Sequence, residues 1–259
     1  FPGTGSAAGD RPFRRTLATG TTMQTNRLIA VGTVLGSDEL LFQRMSATEE
    51  LGRLFRYDLV LLSKNHELKL EDLLGTNMTV RYELPSGETR YFNGVVSGFS
   101  LADTSYREYS VYHATLRPWT WLLTRTADCR IFQEMTVPDI VKQVCRDHGF
   151  TDLEDQLSGS YEAKTFCVQY RETDFNFISR LLEQEGIYYF FKHEDGKHQM
   201  VLADSYSSHA AFPGYDEIPY FPEAADSGVR REEDHVWSWE LTQEVPPGAY
   251  ALTDFAYDK

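Results

Sequence analysis

The residues best placed to perform chemistry are two carboxylates, Glu172 and Asp174, because paired acids can hydrolyse a glycosidic bond. They lie at the start of a predicted helix, for which Thr173 is a suitable N-cap. A carboxylate in the first turn also stabilises the positive end of the helix dipole. Their position favours helix capping, and a carboxylate-dependent glycan hydrolase is kept as the alternative from a different class of function.

Two other groups contain residues that could bind a metal or transfer protons. His193 and His198 are predicted to lie opposite each other across an Asp195-Gly196 turn, but they lack a third ligand, so we expect exposed surface residues without a metal. The run from Glu232 to His235 precedes a predicted strand and is typical of a solvated face. G-x-S-x-G, Walker A, Rossmann and H-E-x-x-H motifs do not occur in the sequence. We predict that the chain is not an enzyme and binds no cofactor.

Charged residues crowd one short segment of the chain, and a binding site is one interpretation of them. They are Arg171, Glu172, Arg180, Glu183 and Glu185. Arg180 and Glu183 are three positions apart, a spacing that predicts an ordinary ion pair on a helix surface. We therefore expect structural or assembly roles for this group.

A helix beginning at Asp174 positions these residues. Its periodicity places four apolar residues on one face with Phe177 at the margin. The four are Phe175, Ile178, Leu181 and Leu182. Gly186 follows the last periodic residue and is predicted to end the helix in the left-handed conformation, with Ile187 folding back on the final turn.

A hairpin is predicted to follow this helix. Residues 187–191 are apolar or aromatic, and Asp195-Gly196 is a strong signal for a two-residue turn. That turn sets Phe191 opposite Met200 and Tyr189 opposite Leu202. Segment 166–200 is thus predicted to be a strand, a helix and a hairpin that pack as one unit.

Upstream, short strands separated by turn residues predict a barrel or a sandwich. The predicted strands cover 28–35, 40–46, 54–62, 78–84, 91–99 and 109–116. One face of the third strand is apolar and comprises Phe55, Tyr57, Leu59 and Leu61. Arg56 and Asp58 lie on the other face until Val60 and Leu62, so we expect half of that strand to face solvent or a lumen. Further strands are predicted at 237–241 and 249–257.

A helix capped by Thr136 and ended by Gly149 is predicted between these regions, with Cys145 on its buried face. Such a buried thiol is expected to be inert. Cys129, Cys145 and Cys167 are odd in number and widely spaced, which indicates neither a disulfide framework nor a zinc site.

Composition limits the classes of function. The formal net charge of −14 argues against nucleic acid as a partner, and the 16 Phe and 15 Tyr favour strands and interfaces. No apolar run is long enough to cross a membrane, and no signal peptide is recognisable.

We predict a mainly β fold in which two small barrel-like domains are joined by helices. The predicted parts are a disordered leader at 1–22, a first β domain at 23–118, a helical connection at 119–165, and a helix–hairpin unit with a partial second β domain at 166–259.

The string QYRETDFNFISRLLEQEGIYYFF at 169–191 resembles the most characteristic segment of the VgrG family, the spike proteins of bacterial type VI secretion. LGRLFRYDLVLLS, LRPWTWLLTRTADCRIFQ and VPDIVKQV also resemble VgrG segments in the same order, so the resemblance runs from about Leu28 to the last residue. The signature positions that we take from it are structural, without catalytic or metal-binding roles. They are Arg171, Glu172, Phe175, Arg180, Glu185, Gly186, Tyr188 and Tyr189.

The resemblance implies the N-terminal, phage-tail-hub-like portion of a homotrimeric spike. Such a hub caps the Hcp tube, contacts baseplate components, carries effectors or their adaptors, and is delivered by sheath contraction. The protein would be made in the bacterial cytoplasm and exported by the type VI system without a signal peptide. A tail hub of a contractile phage, or of a phage-like particle, is the closest alternative.

Overall fold

The computed structural model describes residues 24, 27–84, 86–106, 108–222, 234–249, 251 and 253. The chain divides into two compact units, Phe1–Ala210 and Ala211–Lys259. Within the described ranges, none of the helices has the length and apolar character needed to cross a membrane. The predicted leader at 1–22 lies outside the described residues.

Six antiparallel strands form the first lobe, which covers residues 27–117. Their bounds are β1 Ile29–Gly32, β2 Leu41–Thr48, β3 Arg56–Ser63, β4 Asn77–Glu83, β5 Thr89–Tyr106 and β6 Tyr109–Arg117. The order in the sheet is β1-β4-β5-β6-β3-β2, and the sheet curls so that its outer strands β1 and β2 approach each other. Each predicted strand is present, and the mainly β fold is confirmed.

Strand β3 shows how the sequence pattern sets the core of this lobe. Phe55, just before the strand, and Tyr57, Leu59 and Leu61 are all buried. On the opposite face, the Arg56 guanidinium pairs with a neighbouring carboxylate at 2.7 Å. The predicted alternation is therefore confirmed, and it directs the aromatic end of the strand into the core.

Strand β5 contains the local features that bend the sheet. Its pairing with β6 shifts register between Val96 and Gly98 and twice more further along. Such bulges add twist and curvature to a strand. At Gly94 a Cβ would lie 2.9 Å from the Leu116 Cβ and 3.2 Å from the Phe55 ring, so this strand approaches its neighbours too closely for a side chain.

The second lobe, residues 119–210, packs two helices against small sheets. Its elements are β7 Ala127–Phe132, α1 Val137–Asp147, β8 Leu153–Gln156, β9 Cys167–Thr173, α2 Asp174–Glu185, β10 Tyr188–Glu194 and β11 Lys197–Ala203. Strands β7 and β9 form an antiparallel pair, whereas β11 lies between β10 and a parallel β8. Both helices bury their apolar faces in one core, which also includes Trp119 and Leu123. The predicted domain boundaries remain a prediction.

Helix α1 follows its sequence signals. The Thr136 hydroxyl accepts the Asp139 backbone N–H at 3.3 Å, and Gly149 has a φ of +78° just past the helix. Cys145 is buried in the core, and burial raises the pKa of its thiol to about 12. The predicted helix and the burial of its thiol are confirmed, and the inertness of that thiol remains a prediction.

The prediction of a strand at 237–241 is wrong. Residues 237–241 have no regular secondary structure, and Trp237, Trp239 and Leu241 are 58%, 78% and 83% exposed. Alternation alone does not make a strand, because its backbone groups need a partner strand. No strand pairs with this stretch within the described part of the chain. Much of the strand predicted at 249–257 lies outside the described residues.

Candidate functional site

Helix α2 begins and ends where the sequence predicts. The Thr173 hydroxyl accepts the Asn176 backbone N–H at 3.1 Å, which fixes the first turn. Gly186 has a φ of +70°, and its N–H donates to the Glu183 carbonyl at 3.2 Å. The Ile187 N–H donates to the Leu182 carbonyl at 2.8 Å, which completes a Schellman motif. The predicted helix limits are confirmed.

The buried face of α2 differs from the prediction in one residue, because Phe177 takes the buried place predicted for Phe175. Phe177 is fully buried and stacks on Phe132 with ring centroids 5.5 Å apart, whereas Phe175 is only half-buried at the margin. Asp174 is buried too, and it lies on the same helix face as Phe177, because residues i and i+3 share a face.

The Asp174 carboxylate is the centre of a buried hydrogen-bond network that the sequence analysis missed. It accepts hydrogen bonds from Thr126 at 2.5 Å, Gln169 at 2.8 Å and His148 at 2.9 Å, and it forms an ion pair with Arg130. Burial would raise the pKa of this carboxyl, but the hydrogen bonds and the Arg130 charge hold it below its ordinary value. Asp174 therefore joins four segments of the second lobe.

Glu172 and Arg180 form an ion pair that replaces the predicted pair of Arg180 with Glu183. The Arg180 guanidinium donates to the Glu172 carboxylate at 2.7 Å and to the Val168 carbonyl at 2.8 Å, and it lies 5.0 Å from the Phe177 ring centroid. Strand β9 leads directly into α2, so a long side chain two turns along the helix reaches back to the strand. The Glu172 and Asp174 carboxylates are both paired with arginine side chains, those of Arg180 and Arg130. The hypothesis of a glycan hydrolase is therefore without support.

The hairpin pairing is confirmed, and the remaining signature positions also have structural contacts. Phe191 lies opposite Met200 and Tyr189 opposite Leu202, as predicted. The Glu185 carboxylate forms an ion pair with Lys164 at 2.8 Å, and the Tyr188 hydroxyl donates to the Ser205 carbonyl at 2.9 Å. Arg171 is exposed and has a φ of +50°, and its guanidinium lies 5.2 Å from the centroid of the Tyr170 ring.

The two hairpin histidines are not exposed surface residues, so that prediction is wrong. His198 is 3% exposed: its Nε2 accepts the Trp119 backbone N–H at 2.8 Å, and its Nδ1–H donates to the Asn93 side-chain oxygen at 2.7 Å. His193 accepts the Asn93 backbone N–H at 3.2 Å and lies 3.0 Å from the Tyr57 hydroxyl. Burial lowers the pKa of His193 to about 4 and that of His198 to about 3.

These imidazoles connect the two lobes. Asn93 and Tyr57 belong to the first lobe, whereas both histidines belong to the hairpin of the second. The Gly52 backbone N–H adds a hydrogen bond of 2.8 Å to the Tyr189 carbonyl. Every imidazole nitrogen of the pair has a protein partner, and the described ranges hold no group of three potential metal ligands. The arrangement fixes one lobe on the other.

Two clefts border the turn at residues 50–54. The α2 cleft, about 570 Å³, lies between this turn and helix α2 and includes Phe175, Ser179 and Arg180. The aromatic cleft, about 280 Å³, lies on the hairpin side and includes Phe55 and Phe190. Both are open to solvent.

The structure thus consists of a curled β lobe fixed to a helix–hairpin lobe by buried hydrogen bonds of the two hairpin histidines. Residues 48–259 match the phage tail baseplate hub (GPD) family, and the chain belongs to that family. It is similar to the type VI secretion system spike protein VgrG1a of Pseudomonas aeruginosa strain PAO1. The two are 50% identical over 237 residues, or 92% of this chain and 36% of that protein. The chain thus spans about a third of the length of this curated relative.

Solved structures agree with this assignment. The E. coli c3393 protein, described as a type VI secretion component similar to the T4 tail proteins gp27 and gp5, has a TM-score of 0.57 and 27% identity. That match covers 71% of this chain and 52% of c3393. A tail protein of Neisseria meningitidis MC58 has a TM-score of 0.53 at 13% identity, covering 77% and 56% of the two chains, which shows a shared fold.

Proposed function

We propose that the chain is the hub portion of a trimeric type VI secretion spike. In this proposal the hub caps the Hcp tube, contacts baseplate components and carries effectors or their adaptors. The observation that carries the proposal is the 50% identity to VgrG1a over 92% of the chain. The protein would be made in the cytoplasm and exported by sheath contraction.

The contacts of the described residues support a structural role for this portion. The carboxylates of Asp174 and Glu172 bind Arg130 and Arg180, and the His193 and His198 rings bind first-lobe groups. Groups held in this way stiffen a scaffold and are not available as free acids or bases. We propose that these residues perform no catalysis.

A second candidate is the tail hub of a contractile phage or a phage-like particle. The match to the baseplate hub family and the fold shared with the Neisseria tail protein favour it. Both candidates predict a rigid ring-forming hub, but only the spike should work with type VI secretion components.

A chimera separates the two candidates. Residues 28–259 would replace the matching segment of VgrG1a in a P. aeruginosa strain whose other spike proteins are deleted, and Hcp would be measured in the culture supernatant. The spike proposal predicts that Hcp release returns to at least about half of the level seen with VgrG1a.

A matched chimera with Gly186→Val, in which the α2 terminus is strained, should release much less Hcp than the parent chimera. A parent chimera that accumulates as a folded, protease-resistant protein but releases no Hcp would contradict the spike proposal and favour the phage hub.

A further inference from the structure

The turn at residues 50–54 separates the α2 cleft from the aromatic cleft and lines both of them. Glu50 and Arg53 contribute to both clefts. The turn is held in place by the hydrogen bond between the Gly52 N–H and the Tyr189 carbonyl and by a bond of 3.3 Å from the Arg53 N–H to the Glu50 carbonyl. A ligand segment that crosses this turn could therefore contact both clefts.

Aromatic rings line the smaller cleft, with carboxylates beside them. The rings are those of Phe55, Phe190 and Phe191, and the carboxylates are those of Glu49 and Glu50. Its volume is about 280 Å³, which leaves room for one long side chain.

The charges around the two clefts favour a cation. Glu49, Glu50, Glu172 and Glu183 face two guanidinium groups, those of Arg53 and Arg180. Glu172 is paired with Arg180, and one Glu49 oxygen accepts the Tyr57 hydroxyl. The carboxylates of Glu49, Glu50 and Glu183 then leave negative charge in excess over the Arg53 guanidinium. A cation over an aromatic ring gains further attraction from the negative face of the ring.

We propose that the two clefts form a docking site for an extended segment of a partner protein that inserts one arginine side chain into the aromatic cleft. The planar guanidinium stacks on the half-buried rings of Phe190 and Phe191 while its N–H groups reach the carboxylates of Glu49 and Glu50. The segment backbone crosses the turn into the α2 cleft. This inference goes beyond the hub function and does not depend on it.

The test is an NMR titration of the isotopically labelled 259-residue chain with the capped peptide Gly-Ala-Arg-Ala-Gly. We expect the largest amide shifts at Leu51, Gly52 and Phe190. A peptide with citrulline in place of arginine, which keeps the shape but has no charge, should bind at least fivefold more weakly. Glu50→Gln should weaken binding of the arginine peptide at least threefold.

Two variants complete the design, with folding checked by thermal melts. Phe190→Leu keeps an apolar side chain but removes the ring, and it should also weaken binding of the arginine peptide at least threefold. Glu194→Gln, an exposed change further along the same hairpin, should leave binding unchanged. Equal binding of the arginine and citrulline peptides, shifts away from both clefts, or no shifts at 10 mM peptide would each overturn the proposal.

Discussion

Single polar side chains hold elements together, Asp174 within the second lobe and His198 between the two lobes, and each depends on partners in distant parts of the chain. Asp174 is next to Thr173 in sequence, but Arg130 and His148 are 44 and 26 positions away from it. His198 and its partner Asn93 are 105 positions apart. Local periodicity predicts which helix face is buried, but it cannot predict which residue of another element will satisfy a buried charge. The helix-dipole interpretation of Asp174 was for that reason incomplete.

Asp174→Asn should lower the free energy of unfolding by at least about 2 kcal/mol, because it leaves Arg130 partly buried without its main counter-ion. The loss stays below the ~3–5 kcal/mol of a fully buried pair, since Arg130 also lies 3.2 Å from Asp147. Urea denaturation measures the change. Asp128→Asn removes an exposed carboxylate 3.6 Å from the same guanidinium and should cost less than about 0.5 kcal/mol. Equal losses from the two variants would contradict the central role of Asp174.

The buried imidazoles predict a dependence of stability on pH. In the unfolded chain His193 and His198 gain protons as the pH falls through about 6.5, whereas in the folded chain they stay neutral down to about 4 and 3. The unfolded state then binds more protons, so the free energy of unfolding falls below pH 6.5, by about 2 kcal/mol for each imidazole at pH 5.

Urea denaturation at pH 7.5 and pH 5 tests this pH dependence. A variant with both His193→Gln and His198→Gln should lose most of the difference between the two pH values, whatever its stability at pH 7.5. A full pH dependence in that variant would show that other groups cause it.

At the scale of elements, the sequence predicts most where the signal is local. The limits of α2, the hairpin register and the six strands of the first lobe follow from capping, turn and alternation signals that lie within the elements themselves. Residues 237–241 have the same alternation without a strand, because strand formation also needs a pairing partner.

Gly186→Val should reduce the free energy of unfolding by at least about 1 kcal/mol, because a β-branched residue disfavours the φ of +70° at this helix end. A Cβ at this position would meet no atom within 4 Å, so the loss comes from the backbone and not from a clash. Gln184→Val, at an exposed position two residues earlier in the helix, should cost less. A thermal melt of Gly186→Val identical to that of the parent would contradict the helix end described here.

Gly94→Ala should destabilise the first lobe by about 1–3 kcal/mol through overpacking, because its Cβ would lie 2.9 Å from the Leu116 Cβ and 3.1 Å from the Arg117 carbonyl. Gly98 lies on the same strand, and its nearest contact would be 3.9 Å, so Gly98→Ala is the matched control and should be nearly neutral. Thermal melts of the two variants compare them directly. A neutral Gly94→Ala would contradict the close packing of β5 against β6 and Phe55.

At the scale of the whole molecule, a symmetry argument supports the proposed trimer. Two barrel-like domains in each of three chains would present a ring of six similar parts, which matches a hexameric tube. In VgrG-like proteins, part of the trimer's stability is expected from the downstream intertwined spike, whose strands are buried only by winding around each other. Contacts between hubs alone would be smaller and more polar, and such contacts associate weakly.

Light scattering coupled to size exclusion, applied to the 259-residue chain and to its chimera with the downstream part of VgrG1a, tests the proposed assembly most directly. We expect the chimera to remain a trimer on dilution and the chain alone to be a monomer, or only weakly associated, at micromolar concentration. A tight trimer of the chain alone would show that the hub contacts suffice. A folded chimera that is monomeric would contradict the assignment of this chain as the hub of a trimeric spike.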